Sequence, residues 1–234
     1  MTKSNDTLLQ ILHVVIDHYI TKWEPIGSKF LSNLDQTEMD YAPSTLRKYL
    51  HQLEASGLVY QPYNSSGRIP TVQGLSTYLD TFLADLTGPD VLDESDQFSF
   101  ELDIELARSS LRGITENLWK MVDGVVVSFL PNDEYYFLGI NNLLTDQMRE
   151  EIDTMKYIVD FIERKEIVEF LGTKIIKRGN VYYTFAQDDE KVLSCVYTKV
   201  SVNDYDAVVS IVWPSRVNYK KNLTVLKKLS SLLA

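Results

Sequence analysis

The spacing of apolar residues predicts three helices in the first quarter of the chain. Apolar positions repeat every three or four residues over 7–22, which indicates a helix with one face in a core. Pro25 interrupts this pattern, and a shorter helix is predicted over 28–34. A third helix is predicted over 43–56, because Pro43 suits the first helical position.

The third helix divides into an apolar face and a polar face. Leu46, Leu50 and Leu53 lie on one side at helical spacing. The other side carries Ser44, Arg47, Lys48 and His51, flanked by Thr45 and Gln52. A polar stripe of this kind is more often a solvated surface than a binding site, so the stripe alone does not assign a function.

A hairpin and a fourth helix follow. Residues 58–61 are predicted as a strand, 62–67 (PYNSSG) as a turn and 68–70 as a return strand, before a helix over 72–86. Helices and a hairpin in this order are typical of a winged helix-turn-helix domain, in which one helix enters the major groove of DNA. Winged helices also serve as protein-interaction modules without DNA contact, and the pattern alone leaves both readings open.

The overall charge of the chain counts against DNA binding, but the local distribution of charge favours it. The chain has 234 residues, with 23 Lys and Arg against 33 Asp and Glu, and a formal net charge of −10. An acidic balance counts against generic nucleic-acid binding, because phosphate contacts need Lys and Arg. Between residues 44 and 70, however, Arg47, Lys48 and Arg68 stand against the single acid Glu54, a local charge of +2.

Each candidate DNA-binding side chain suits a particular contact. Arg47 suits guanine, and Gln52 suits adenine or a phosphate. Small polar groups in the hairpin turn can bond phosphate oxygens without bulk, and Arg68 at its base can enter the minor groove or pair with a phosphate. The predicted DNA-binding residues are Ser28, Lys29, Ser44, Thr45, Arg47, Lys48, His51, Gln52, Asn64, Ser65, Ser66, Gly67 and Arg68.

Charge also divides the chain. Residues 87–97 (TGPDVLDESDQ) carry four acids, no base and a Gly-Pro pair, which indicates an acidic linker between domains at 1–86 and 98–234. The second domain is rich in apolar strands, at 125–129, 181–185 and 208–212. The sequence therefore predicts an α+β protein of two domains.

No pattern indicates an enzyme, a metal site or a cofactor. His13 and His18 do not share a helix face, and with His51 they lack metal-ligand spacing. Cys195 lies in an apolar run and is expected to be a buried structural thiol. No apolar run is long enough for a membrane span and the N-terminus lacks a signal-peptide pattern, so we expect a cytoplasmic protein without membrane contact.

Five N-terminal segments form a specific pattern. They read EPIGS (24–28), PSTLR (43–47), LEASGL (53–58), QP (61–62) and SGRIPT (66–71). With this spacing the domain resembles the heat-inducible transcription repressor HrcA family. Two positions depart from the family pattern: Ala42 stands where a side-chain cap such as Ser is expected, and Tyr63-Asn64 stands where a His-Thr pair is common.

The C-terminal half resembles the same family more loosely. The segment FLGINNLL (137–144) is similar to the family's glycine–asparagine–leucine motif, and it leads into a predicted helix around 158–171. Residues 195–202 and 207–219 resemble its last two strands and final turn, before a terminal helix over 220–233. The resemblance implies a GAF-like α/β domain that carries an inserted dimerisation subdomain.

The chain is shorter than the family pattern at one place. Only residues 130–135 separate the strand at 125–129 from Tyr136 and the glycine–asparagine motif. The inserted subdomain and the strands around it are therefore expected to be absent. A reduced GAF-like sheet with an exposed edge would result, without the usual dimer interface.

The resemblance also implies a function. Repressors of this family bind an inverted-repeat operator upstream of chaperone genes, and a GroEL-type chaperonin keeps them active until heat stress titrates it away. An operator with two-fold symmetry is matched by a homodimer. We expect the dimer interface to lie within residues 98–234.

Overall fold

A computed structural model describes residues 3–34, 40–85, 110–130, 134–145, 151–189 and 191–234. The chain divides into two compact units, Met1–Ala84 and Asp85–Ala234. Both units contain helices and strands, so the predicted α+β class is confirmed. The predicted acidic linker, 87–97, lies outside the described residues. Within the described ranges, no helix is both long and apolar enough to cross a membrane.

The N-terminal unit combines helices with a small antiparallel sheet. Its elements are α1 (Lys3–Lys22), α2 (Ser28–Leu31), α3 (Pro43–Ala55), β1 (Val59–Tyr60), β2 (Ile69–Pro70) and α4 (Val72–Asp85). Helix α1 contacts α3, and each buries the apolar face that its spacing predicts. On α3 the buried residues are Leu46, Leu50 and Leu53.

Helix α2 is shorter than the sequence predicts. It ends at Leu31 instead of reaching residue 34. The amides of Asn33 and Leu34 donate to the carbonyls of Phe30 and Leu31, at 3.0 and 3.3 Å. These i to i−3 bonds tighten the chain into a turn narrower than an α-helix, and the α-helical pattern stops there.

The C-terminal unit is built around one five-stranded sheet. Its elements are α5 (Leu111–Leu118), β3 (Val125–Phe129), β4 (Tyr135–Leu138), a 3₁₀ turn (Ile140–Leu143), α6 (Ile152–Glu163), α7 (Glu166–Gly172), β5 (Val181–Asp188), β6 (Lys191–Val202), β7 (Tyr205–Pro214) and α8 (Tyr219–Leu232). The strand order is β4-β3-β7-β6-β5, and all neighbours are antiparallel. Strand β3 is buried at every position, as the apolar run predicts.

Helices cover both faces of this sheet. Helices α6 and α7 pack on one face, where Val127, Cys195 and Val212 belong to an apolar cluster with Ile158 and Ile162. On the other face, buried hydroxyls join α5 and α8 to the strands. Thr115 bonds Ser128, Thr198 bonds Ser230 at 3.0 Å, and Ser194 bonds Tyr219 at 3.0 Å.

The predicted single helix around 158–171 is wrong. The structure has two helices, α6 and α7, with a break at Arg164 and Lys165. Lys165 adopts a left-handed conformation with φ 59°, which an α-helix does not accommodate. The break lets Ile167 and Leu171 of α7 join the same apolar cluster as α6.

Gly74 gives the first testable consequence of this packing. A Cβ at Gly74 would lie 2.0 Å from the Leu58 carbonyl oxygen, so α4 has to move away from the strand region if the residue is larger. We expect Gly74→Ala to lower the free energy of unfolding by about 1–3 kcal/mol, measured by urea denaturation. Gly27→Ala is the control, because its Cβ would meet no atom closer than 3.9 Å. Equal denaturation midpoints for the two variants would contradict the close packing of α4.

Candidate nucleic-acid interface

Helix α3 presents its polar face to solvent. Ser44, Arg47, Lys48, His51 and Gln52 are exposed, and Thr45 is half-buried. The helix begins at Pro43, and Ala42 provides no side-chain cap for the first turn. The exposed side chains lie on the surface of α3 that faces away from its three buried leucines.

The basic residues of this face are not neutralised by any other residue that the structure describes. Among the residues that the structure describes, Arg47 and Lys48 form no ion pair. His51 is the exception, since its Nδ1 lies 3.5 Å from Oε2 of Glu54. Two positive charges on one helical face thus remain available for an external anion.

The hairpin turn is held by its own hydrogen bonds. The amide of Tyr63 donates to Oγ of Ser66 at 3.4 Å, and that hydroxyl donates to the Gly67 carbonyl at 3.0 Å. Asn64 and Ser65 at the tip are exposed, whereas Ser66 and Gly67 are half-buried. The tip residues are therefore accessible for an external contact, and Ser66 mainly shapes the turn.

Gly67 allows the hairpin to pack against the segment between α1 and α2. A Cβ at Gly67 would lie 2.4 Å from the backbone of Ile26 and 2.5 Å from that of Pro25. Beside it, Ile26 and Arg68 exchange backbone hydrogen bonds of 2.9 and 2.8 Å. Ile26 thus acts as a third strand segment beside β2, and any side chain at 67 would separate the two.

Arg68 is placed differently from the prediction. Its side chain is only 8% exposed, and it packs against α3 instead of projecting from the hairpin. Its Nη2 lies 2.9 Å from Oε2 of Glu54, its Nε donates to the same oxygen at 3.1 Å, and its Nη1 donates to the Ser66 carbonyl at 3.4 Å. A guanidinium held by these partners is not free to enter a minor groove. Arg68 therefore positions the hairpin in this structure, and a direct contact of its side chain with DNA stays a prediction.

Glu54 is the residue that sequence reasoning missed. It contacts both His51 on α3 and Arg68 at the hairpin, so a chain of polar contacts joins the exposed helical face to the turn. The structure thereby brings the two predicted contact regions into one connected surface. Ser28 and Lys29 lie separately at the start of α2, where Lys29 is exposed and Ser28 half-buried.

The C-terminal unit holds a second group of charged residues and a buried thiol. On α6 and the β5–β6 turn the charges pair locally, as Lys191 with Asp188 at 3.3 Å. Burial raises the pKa of the Cys195 thiol well above its ordinary value, in agreement with the predicted structural role. In the described part of the chain, no group of His, Cys, Asp and Glu is arranged to hold a metal ion.

The fold and the surface define a two-unit α+β protein with a basic helical face beside a hairpin. A family model described as "HrcA protein C terminal domain" matches residues 46–223. This match includes more than half of the chain, and the chain therefore belongs to the HrcA family.

Named relatives agree with this assignment. A heat-inducible transcription repressor HrcA of Alkaliphilus metalliredigens (strain QYMF) is 30% identical over 157 residues, which cover 61% of this chain and 44% of that protein. Another HrcA, from Chelativorans sp. (strain BNC1), is 40% identical over 73 residues, 31% of this chain and 20% of that protein. The matched regions thus span less than half the length of these relatives.

A solved structure shares the fold. It is described as "Crystal structure of a hypothetical protein at 2.2 A resolution", and it matches with a TM-score of 0.74 over 97% of this chain and 96% of that chain. The sequence identity is 14%, so the similarity concerns the fold alone.

Arg68 and Glu54 give a stability prediction. We expect Arg68→Met to lower the free energy of unfolding by about 1–3 kcal/mol, because Glu54 loses its guanidinium partner inside the unit. The double variant Arg68→Met with Glu54→Gln should lose less than the sum of the single losses. Arg112→Met is the control, since Arg112 pairs with Glu116 at an exposed i,i+4 site and should leave the denaturation midpoint nearly unchanged. Additive losses in urea denaturation would rule out the coupling.

Proposed function

We propose that the N-terminal unit is a winged helix-turn-helix domain that binds DNA. Helices α2 and α3 would form the helix-turn-helix, and the β1–β2 hairpin with Ile26 would form the wing. The order of elements supports this proposal, as does the backbone pairing of Ile26 with Arg68. Helix α3 is the recognition helix in this arrangement, because its polar face is the one left open.

One observation carries the proposal: Arg47 and Lys48 lie exposed on one helical face and form no ion pair in the described residues. The proposed DNA contacts are Ser28, Lys29, Ser44, Thr45, Arg47, Lys48, His51, Gln52, Asn64, Ser65, Ser66 and Gly67. Arg68 supports the wing from inside.

The proposed biological role is transcriptional repression in the heat-shock response. In this role the protein binds an inverted-repeat operator upstream of chaperone genes, in the cytoplasm. Family membership and the names of its relatives support the role. The C-terminal unit would be a reduced GAF-like domain, and its direct β3–β4 hairpin is consistent with a missing insert. A homodimer matches the symmetry of such an operator.

Arg47 provides the test of sequence-specific binding. We expect Arg47→Ala to weaken operator affinity by about 1–3 kcal/mol in fluorescence anisotropy, because a bidentate contact to a guanine edge is lost. Arg47→Lys is the matched control, since it keeps the charge and loses the fork of donors. It should retain binding to random DNA and lose discrimination for the operator.

Two outcomes of that measurement would overturn the proposal. Operator affinity that does not fall as salt rises would show that no phosphate contacts are made. Wild-type affinity equal for operator and random DNA would instead favour a winged-helix protein-interaction module. The DNA fragments should be the upstream regions of chaperone genes from the same genome.

We also propose that a GroEL-type chaperonin increases the active fraction of the protein, as the family resemblance implies. The C-terminal unit displays large apolar side chains at Leu144, Ile175 and Tyr205, which are 67, 85 and 64% exposed. Such side chains are suitable contacts for an apolar chaperonin surface. After dilution from denaturant, the operator-binding fraction should be higher with chaperonin and ATP than with albumin. Equal fractions would contradict this part of the proposal.

A further inference from the structure

Strand β4 is an edge strand without the usual protection. Among the described residues it is the outermost strand of the five-stranded sheet, and it pairs with β3 alone. Its sequence is Tyr-Tyr-Phe-Leu, with no charge and no proline. Edge strands are normally guarded against pairing by charges, prolines, bulges or a covering element. Tyr136 and Leu138 are instead 39% and 37% exposed.

The hydrogen-bonding direction of β4 can be assigned from one bond. The amide of Leu130 donates to the Glu134 carbonyl at 2.9 Å, so residue 134 bonds towards β3. In an antiparallel ladder the bonded residues alternate, so Tyr136 and Leu138 also bond towards β3. The amides and carbonyls of Tyr135 and Phe137 therefore point outward. Within the described residues these outward groups have no hydrogen-bond partner.

The side chains of β4 also alternate between the two faces. Tyr135 and Phe137 pack on the apolar cluster beneath α6 and α7. Tyr136 lies opposite Ser128, which bonds Thr115 of α5, so Tyr136 lies on the α5 face. Glu134 and Leu138 share this face with Tyr136, because the side-chain period of a strand is two.

Opposite charges mark the two ends of the strand. The carboxylate of Glu134 is exposed at the start of β4 and forms no ion pair in the described part of the chain. At the other end, Gly139 lies against Trp119, since a Cβ there would be 3.7 Å from Trp119 Cβ. Lys120 follows Trp119 and is exposed, and its Nζ lies 5.5 Å from the centroid of the Trp119 ring.

We propose that β4 is a homodimer interface, in which two copies of the chain pair β4 with β4 in antiparallel orientation about a two-fold axis. With Tyr136 opposite its own copy, Tyr135 faces Phe137 of the other copy, and these residues exchange about four backbone hydrogen bonds. The pairing places Glu134 beside Leu138 of the second copy, next to Gly139 and Lys120. Each copy then supplies the carboxylate for the other's ammonium. The two sheets join into one.

A dimer formed through β4 would provide the two copies that the proposed operator binding requires. The interface rests on that proposed function only for its biological role, because its contacts do not involve DNA. The occupant is a second copy because the strand is complementary to itself in both its backbone groups and its end charges. An isologous contact of this kind closes after two subunits. A strand from an unrelated protein would satisfy the backbone groups, but it would have to match Glu134 and Lys120 by chance.

The experiment measures the oligomeric state of the full chain without DNA, by sedimentation velocity over a concentration series. We expect a dimer whose dissociation constant rises at least about tenfold in Leu138→Lys, because a charge then lies on the apolar centre of the contact. Ile152→Lys is the matched control, since Ile152 is 51% exposed at the start of α6. It should leave the dimer unchanged.

Charge reversal gives a second test that does not depend on the stability of the Leu138 variant. Glu134→Lys and Lys120→Glu should each weaken the dimer roughly tenfold, by placing like charges together twice per dimer. The double variant should restore the wild-type dissociation constant, which a purely local structural effect would not do. Thermal unfolding of each variant confirms that the chain is folded.

Several outcomes overturn the proposal. They are a monomeric wild type at every concentration, a dimer that all three single variants leave intact, or a double variant that is weaker than either single one. Failure here is distinguishable from failure of the proposed function. If the dimer persists through another surface, Arg47-dependent operator binding is unaffected. If β4 mediates the dimer but no operator is bound, the interface remains and the DNA proposal fails. Binding of an added β4 peptide without self-association would indicate a foreign strand as the occupant.

Discussion

Arg68 ties together three parts of the N-terminal unit, and the shape of its polar surface depends on that contact. Its backbone forms hydrogen bonds with Ile26, and its guanidinium pairs with Glu54 of α3. Its Nη1 also donates to the Ser66 carbonyl in the hairpin turn. A guanidinium suits this position because its fork of donors can satisfy several acceptors at fixed angles while staying charged. A lysine offers a single ammonium and cannot bridge the same groups. The hairpin and α3 therefore keep one relative position.

The acidic composition takes on a different meaning beside this arrangement. The chain has a formal net charge of −10, and on α3 only Arg47 and Lys48 are exposed bases with no ion-pair partner in the described part of the chain. A negative overall field repels polyanions at long range, so generic binding to DNA is suppressed. Binding would then require that a small basic face match its target closely at short range. An acidic repressor can in this way gain discrimination while it gives up non-specific affinity.

The sequence predicted the features that depend on local pattern. Pro43 and the spacing of Leu46, Leu50 and Leu53 predict α3 correctly, because helical periodicity and burial act over a few residues. The buried β3 was predicted from its continuous apolar run for the same reason. Membership of the HrcA family was also predicted, from short segments whose spacing is specific.

Other features depend on contacts with residues that are distant in the chain, or on a strained backbone conformation that the residue type does not predict. From the sequence alone, Arg68 is expected to be a surface base. In the structure it pairs with Glu54, which lies on another element. The break at Lys165 occurs at a residue that ordinarily favours helices, and only the packing of α7 on the apolar cluster explains its left-handed conformation. The contacts of the candidate DNA-binding residues with DNA remain predictions. Burial and ion pairing define which side chains are accessible to solvent, but they do not define which ligand those side chains bind.

The strand order also sets the sequence of events as the C-terminal unit forms. Strands β6 and β7 meet across a tight turn at Asn203 and Asp204, so they can pair as soon as both exist. Strand β3 must join the far side of β7, where Val125 pairs with Val212, and this closure spans most of the unit. Until it occurs, one edge of β7 presents Val209 and Ile211 without a neighbouring strand. A chain in which β3 has not yet docked would expose this edge, and for longer the more slowly β3 docks. Any such exposure during folding would then originate in the topology of the sheet and not in a single residue.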